Sequence, residues 1–264
     1  MSALTVQSTL KLPSGAEIPR IGFGAYLANE EAVYNALNAG YRMIDTAEYY
    51  RNEAECGRAI ARWLAETGNK REDVFYFTKV WHDHHGYSAT AQAIDNSLRR
   101  AKLDYIDLYL IHSPLSSRDL RLETWRAMQD AGKAGKIKSI GVSNYGIHHL
   151  QELFDWPQLE IQPSVNQLEV YPWLPRTDIV SFCHEHGIVV EAYSPLTRGE
   201  RFKEHILIRW SLQEGLVPIP KSNDPERIRE NLDVFGFSIS NDDMAKLDIK
   251  RYSPIVWDPT TSGL

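Results

Sequence analysis

Cysteine is scarce in this chain. Only Cys56 and Cys183 occur among 264 residues, too few and too unpatterned for a disulfide framework or a zinc site. Long apolar runs are missing as well: no stretch approaches the ~20 residues of a membrane span. The first fifteen residues also lack an apolar segment of signal-peptide length. A soluble, cytoplasmic protein is the expectation. Basic charge is not in excess either, because 29 Lys and Arg stand against 35 Asp and Glu. The net charge of −6 argues against electrostatic nucleic-acid binding, so any phosphate site must be local. No Pro/Ser-rich linker, low-complexity tract or charge block divides the chain, and residues 1–264 read as a single domain. The Gly-rich fingerprint of a Rossmann fold is absent too, since Gly22-Phe23-Gly24 alone does not supply it.

What is present is alternation. β-Rich runs predict strands over 21–26, 43–47, 74–80, 106–112, 137–144, 164–170, 189–194 and 217–221. Between and after them, amphipathic patterns predict helices over 30–39, 53–66, 89–103, 119–134, 148–155, 177–186, 203–214 and 225–235. Connections of that length are too long for hairpins, so the strands should run parallel, joined by crossover helices. Eight such units predict an α/β protein of the (β/α)8 TIM-barrel type, which uses about 250 residues as one domain. Before them, Pro13-Ser14-Gly15 forms a turn between 4–12 and 16–18, predicting a β-hairpin that caps one barrel end.

Chemistry in such a barrel belongs at the C-terminal ends of the strands. The polar residues expected there are Asp45, Thr46, Lys79, His112, Ser143, Asn144, Gln167, Tyr193, Ser194, Lys221 and Ser222. Lys79 lies in the apolar run 75–81, where an unpaired ammonium is costly, so it needs a carboxylate such as Asp45. A structural salt bridge would satisfy that need by itself. Tyr50 changes the balance, because a phenol beside an ammonium has its ionised form stabilised and donates a proton more readily. His112 could hydrogen-bond a substrate oxygen, although a lone histidine at a strand end is more often a satisfied polar residue. The run His82-Asp83-His84-His85 invites a metal assignment. Consecutive loop residues rarely close a first shell, so a solvated loop is favoured and no metal is expected.

These residues also carry a resemblance. Asp45-Thr46-Ala47-Glu48-Tyr49-Tyr50-Arg51-Asn52-Glu53 with Gly57, then Thr78-Lys79-Val80-Trp81, Asp107-Leu108-Tyr109-Leu110-Ile111-His112 and Gly141-Val142-Ser143-Asn144 follow in the order of the aldo-keto reductase family. The similarity runs from about Gly15 to Trp257. It implies a (β/α)8 barrel, NADPH-dependent reduction of aldehydes and ketones to alcohols, and a catalytic tetrad of Asp45, Tyr50, Lys79 and His112. Tyr50 would be the general acid, Lys79 would lower its pKa, Asp45 would hold Lys79, and His112 would orient the carbonyl. The resemblance further implies that Ser143, Asn144 and Gln167 hold the nicotinamide carboxamide, with Tyr193 stacked on the ring and Ser194 and Leu196 beside it. Lys221, Ser222, Arg227 and Asn231 would form the adenosine-phosphate site. A lysine ending a strand and an arginine in the next helix suit a 2′-phosphate, and that helix's dipole would add attraction. Tyr26, Trp81 and His82 are expected at the substrate mouth, with Trp173 a weaker candidate. Such an aromatic rim favours apolar or aromatic small-molecule carbonyl substrates. A monomer or weak dimer is expected, with no nucleic-acid or membrane partner.

Two departures from the family pattern stand out. The connection between Leu196 and Lys221 is short by roughly fifteen to twenty-five residues, beyond ordinary loop variation. That stretch would lie over the cofactor, so weak cofactor retention is expected if the deletion is real, and tight binding if it is not. The tail is short too, predicting an open pocket, and Trp257-Asp258-Pro259-Thr260 resembles microbial, fungal-type members. The short connection keeps a second reading alive, a cofactor-binding regulatory or redox-sensing subunit with little turnover. A third reading is an unrelated barrel lyase or isomerase with Lys79 as a Schiff-base nucleophile.

Overall fold

The strand ladder closes on itself. In the computed structural model, which describes residues 4–199, 204–249 and 251–263, each expected barrel strand forms. After a hairpin of β1 (Thr9–Lys11) and β2 (Glu17–Pro19), they are β3 (Phe23–Gly24), β4 (Met43–Asp45), β5 (Phe75–Val80), β6 (Ile106–Ile111), β7 (Ile137–Ser143), β8 (Val165–Glu169), β9 (Val189–Tyr193) and β10 (Val217–Pro218). Each pairs in parallel with its sequence neighbour in one eight-stranded sheet. Its two ends meet where Gly22 N donates to Pro218 O and Gly24 N to Pro220 O, both at 3.0 Å. The last strand is shorter than expected for a simple reason. Pro218 and Pro220 have no N–H to give, so the ladder there rests on residues such as Ile219, whose N donates to Ala192 O.

The crossovers are α1 (Glu30–Ala39), α2 (Glu53–Thr67), α3 (Tyr87–Ala101), α4 (Arg118–Lys133), α5 (Ile147–Phe154), α6 (Thr177–Glu185) and α7 (Glu204–Gln213). The last strand is followed by α8 (Pro225–Glu230) and by α9 (Asn241–Leu247), which the sequence pattern does not reveal. Helix ends follow local chemistry: Asn29 caps α1 by accepting from Ala32 N, and Gly40 ends it at φ 119°. Gly57 is needed for packing, because a Cβ there would come within 2.0 Å of Ala101 O at the end of α3.

Side-chain alternation divides the core in two. Outward residues such as Ile44, Tyr76, Tyr109, Ile140 and Val190 pack under the helices. Inward residues Met43, Phe75, Phe77, Leu108, Leu110, Val165 and Val217 fill the barrel, and Leu12 and Ile18 of the hairpin join them from below. The hairpin therefore plugs the end opposite the strand C-termini. Among the described residues no helix is long and apolar enough to cross a membrane.

Candidate active site

The same alternation sets the polar layer above the apolar one. Met43 is followed inward by Asp45, Phe77 by Lys79, and Leu110 by His112. Lys79 is fully buried, and its ammonium touches Asp45 Oδ1, donates to Thr46 O at 2.9 Å and reaches Tyr50 OH at 3.4 Å. All three of its hydrogens are thereby engaged, which removes support for a Schiff-base nucleophile. Tyr50 arrives on a 3₁₀ turn, Glu48–Tyr50. Asn52 pins the chain just after it, donating to Ala25 O at 2.7 Å and Ala28 O at 3.0 Å. Glu53 does the same from below, accepting from Thr78 Oγ1 at 2.7 Å and pairing with Arg100 at 2.6 Å. The second half of the motif thus fastens the loop that carries Tyr50.

Electrostatics differ from expectation in one respect. Burial first, then the charge of Asp45 and the neighbouring Tyr26, holds the Tyr50 hydroxyl well above the ordinary phenol range. Burial pushes the Asp45 carboxyl upward, with Lys79 and Gln167 pulling the other way. Burial, followed by the charges of Lys79, His82 and His85, keeps His112 well below the ordinary histidine value. Its imidazole is neutral at physiological pH and carries one N–H.

These groups face a cavity of about 840 Å³, within the range of small-molecule sites. Tyr26, Asp45, Tyr50, Trp81 and His112 line it, as do Ser143, Asn144, Gln167, Tyr193, Ser194 and Leu196. Lys221, Ser222, Arg227 and Asn231 complete the wall toward α8. Asn144 sits at φ 62°, a backbone state asparagine tolerates, and bonds to His112 O (3.0 Å), Ser143 Oγ (3.1 Å) and the Tyr193 hydroxyl (2.9 Å). At the α8 side, Asn231 Oδ1 is buried without a partner, and Lys221 and Arg227 join no ion pair among the described residues.

Residues 25–205 match the Aldo/keto reductase family. The chain belongs to that family. An uncharacterized oxidoreductase of Saccharomyces cerevisiae is 44% identical over 273 residues, with 95% of this chain and 97% of its own covered. A glyoxal reductase of Bacillus subtilis is 42% identical, covering 92% of this chain and 93% of its own. Among solved structures, MGS-M4, an aldo-keto reductase enzyme from a Medee basin deep-sea metagenome library, is similar at TM-score 0.86 and 36% identity, over 96% of this chain and 99% of that one. This aldo/keto reductase is thus an oxidoreductase, in a family that acts on small molecules and generally uses nicotinamide cofactors. The yeast alignment runs to 273 positions against 264 residues here, so that relative carries residues without a counterpart in this chain.

Several expectations need correction in the reductase. His82 does not reach the cavity wall: it lies against Trp81 with ring centroids 4.1 Å apart, and its Nδ1 faces Ser113 Oγ at 3.2 Å. Lys79 stands behind the wall, and Trp173 is not part of it. The start of α8 is no phosphate cradle, because the Asp224 side chain already accepts from Glu226 N (2.8 Å) and Arg227 N (3.1 Å). Positions 200–203 of the short connection lie outside the described residues, while Arg198 and Gly199 just before them line the cavity. The histidine run is structural where it is described. His84 pairs with Glu48 at 3.0 Å, and His85 is buried against Ser116 Oγ at 2.7 Å, its pKa pushed down to about 3 chiefly by burial. No potential metal cluster occurs among the described residues.

Residues near 257 cover part of the mouth. Val256 and Trp257 line the cavity, and Trp257 lies 5.8 Å from Trp81, which stacks on Tyr49 at 4.2 Å. Arg176 clasps the tail through Asp258 (3.0 Å) and Thr260 (3.1 Å), and Glu169 accepts from Ile255 N at 3.0 Å. Tyr49 and Trp257 escaped sequence reasoning, as did Glu191, a buried carboxyl inward on β9. The period-two pattern through Tyr193 could have found Glu191.

Proposed function

We propose that this chain is an NADPH-dependent reductase of aldehydes and ketones, with Asp45, Tyr50, Lys79 and His112 as its catalytic set. The observation that carries the reading is the buried Lys79 ammonium, held by Asp45 and 3.4 Å from the Tyr50 hydroxyl, beside a cavity whose wall also carries Lys221 and Arg227, which join no ion pair among the described residues. Asn231 Oδ1, without a partner among the described residues, and those two cations fit an adenosine 2′-phosphate; Ser143, Asn144, Gln167 and Tyr193 would hold the nicotinamide end. When bound, the cofactor supplies a hydride to the carbonyl carbon.

The chain's own residues supply the rest. Neutral His112 donates its N–H to the carbonyl oxygen and orients it. Tyr50 gives its proton to that oxygen as negative charge develops there. The resulting phenolate lies beside Lys79 Nζ, so the ammonium stabilises a charge that exists only late in the reaction. Burial holds the proton on Tyr50 until then. Tyr26, Tyr49, Trp81 and Trp257 enclose the carbonyl's substituent in an apolar setting. The glyoxal reductase name of one relative supports including small dicarbonyls among the substrates. The test is NADPH oxidation with glyoxal, aromatic aldehydes, α-keto esters and ketones. Turnover with at least one class is expected; none across the panel overturns the reading.

A further inference from the structure

Glu191 is buried inside the barrel and belongs to no wall of the cavity. Its neighbours Val190 and Ala192 point outward into the helix layer, which turns Glu191 inward beside Gln167, its register partner on β8. Glu191 Oε2 accepts from Gln167 Nε2 at 3.0 Å, while Asp45 Oδ2 lies 3.5 Å from the same nitrogen. Among the described residues Glu191 Oε1 has no partner. A buried carboxyl with one oxygen unsatisfied is a poor way to fill a core, where a leucine would pack without that penalty.

Its geometry serves Gln167 instead. A glutamine amide has a donor end and an acceptor end that exchange on a half-turn of the side chain. Two oxygens stand ahead of it on one side, Asp45 Oδ2 and Glu191 Oε2, and both accept from the nitrogen; Oε2 does so as a carboxylate oxygen or, when Glu191 is protonated on Oε1, as the carbonyl oxygen, which leaves Gln167 Oε1 for the cavity that Gln167 lines. Asp45 alone, at the limit of hydrogen-bond distance, is a weak restraint. We propose that Glu191 is a positioning residue that locks the Gln167 amide with its oxygen toward the cavity, where it accepts from the N–H2 of the nicotinamide carboxamide. This rests on the NADPH reading above.

The test compares Glu191→Leu, which removes the acceptor, with Glu191→Gln, whose amide oxygen can replace it. Dissociation constants are measured by tryptophan fluorescence for NADP+, for its 3-acetylpyridine analogue, which lacks the N–H2, and for adenosine 2′,5′-bisphosphate, which lacks the nicotinamide. Native protein should prefer NADP+ over the analogue by about two- to tenfold, the worth of one hydrogen bond. Glu191→Leu should lose that preference while binding the bisphosphate within about twofold of native, and Glu191→Gln should restore it. A purely structural role would weaken all three ligands together. Preference retained in Glu191→Leu, or parallel loss of all three ligands, overturns the proposal. If native protein binds neither NADP+ nor the bisphosphate, the cofactor reading itself falls and takes this one with it.

Discussion

Lys79 has three hydrogens and three partners, so the substitutions around it should separate cleanly. Tyr50→Phe removes one distant partner and the proton source. We expect kcat to fall at least about 10²-fold with NADPH affinity unchanged, and near-native turnover would remove Tyr50 from the mechanism. Lys79→Met also silences the enzyme, but it leaves Asp45 buried without a cation, at a cost of about 3–5 kcal/mol. Its melting temperature should therefore drop well below that of Tyr50→Phe, and equal values would contradict the pairing. Glu191 supplies a pH test. Burial first, then Asp45, pushes its carboxyl from 4.5 up to about 8, with Lys79 and the Gln167 amide opposing. Asp45 and Lys79 are the charged groups that act on it, and its register partner on β10 is the apolar Val217. The folded state binds this proton more tightly than the unfolded chain, so its contribution is complete below pH 4.5 and is lost as pH rises toward 8. Denaturant melts at pH 5 and pH 8 should show Glu191→Gln gaining on the native protein at the higher pH. An equal difference at both values would refute the shifted carboxyl.

At the scale of elements, the tail is the piece whose job can be isolated. Arg176, at φ 48° just before α6, reaches Asp258 across 82 residues of sequence and so holds Trp257 against Trp81. Arg176→Ala should release the tail and raise KM several-fold for an aromatic aldehyde. NADPH affinity should stay put, because the clasp engages neither Lys221 nor Arg227. An unchanged KM would mean that Trp257 contributes nothing to substrate binding. That long-range pairing was not legible in the sequence, since nothing local links position 176 to 258. The barrel strands were legible because both of their faces are buried and so read as short β-rich runs between amphipathic helical stretches, and the Lys79–Asp45 pair because a lysine inside an apolar strand needs a carboxylate. Misplacement came where no such rule acts. His82 lies on a loop, whose direction strand periodicity does not set. Helix α9 offers only Met244 and Leu247 as packed apolar residues, too few to show a period. Proline content, rather than hydrophobicity, cut β10 short.

The whole molecule carries a net charge of −6, so an anionic dinucleotide meets repulsion at long range and must be held by local contacts. Lys221 and Arg227 line the cavity wall, as Asn231 does, and burial lowers the Lys221 ammonium. Each charge-assisted contact to a 2′-phosphate is worth about 1.5–3 kcal/mol, or roughly ten- to a hundredfold in affinity. Arg227→Ala should therefore weaken NADPH by about that factor and leave NADH nearly unchanged. Equal loss of both would assign Arg227 to supporting the loop. Salt gives an independent sign. Screening weakens contact attraction and long-range repulsion alike, but the Debye length of about 10 Å at 0.1 M means distant charges fade first. If the 2′-phosphate is read by direct contact, the preference for NADPH over NADH should shrink as salt rises above that point, and more steeply in native protein than in Arg227→Ala. If the extra phosphate meets only the molecule's overall negative field, the preference should grow with salt instead. A rising ratio in native protein would sink the assignment of Lys221 and Arg227 as phosphate readers.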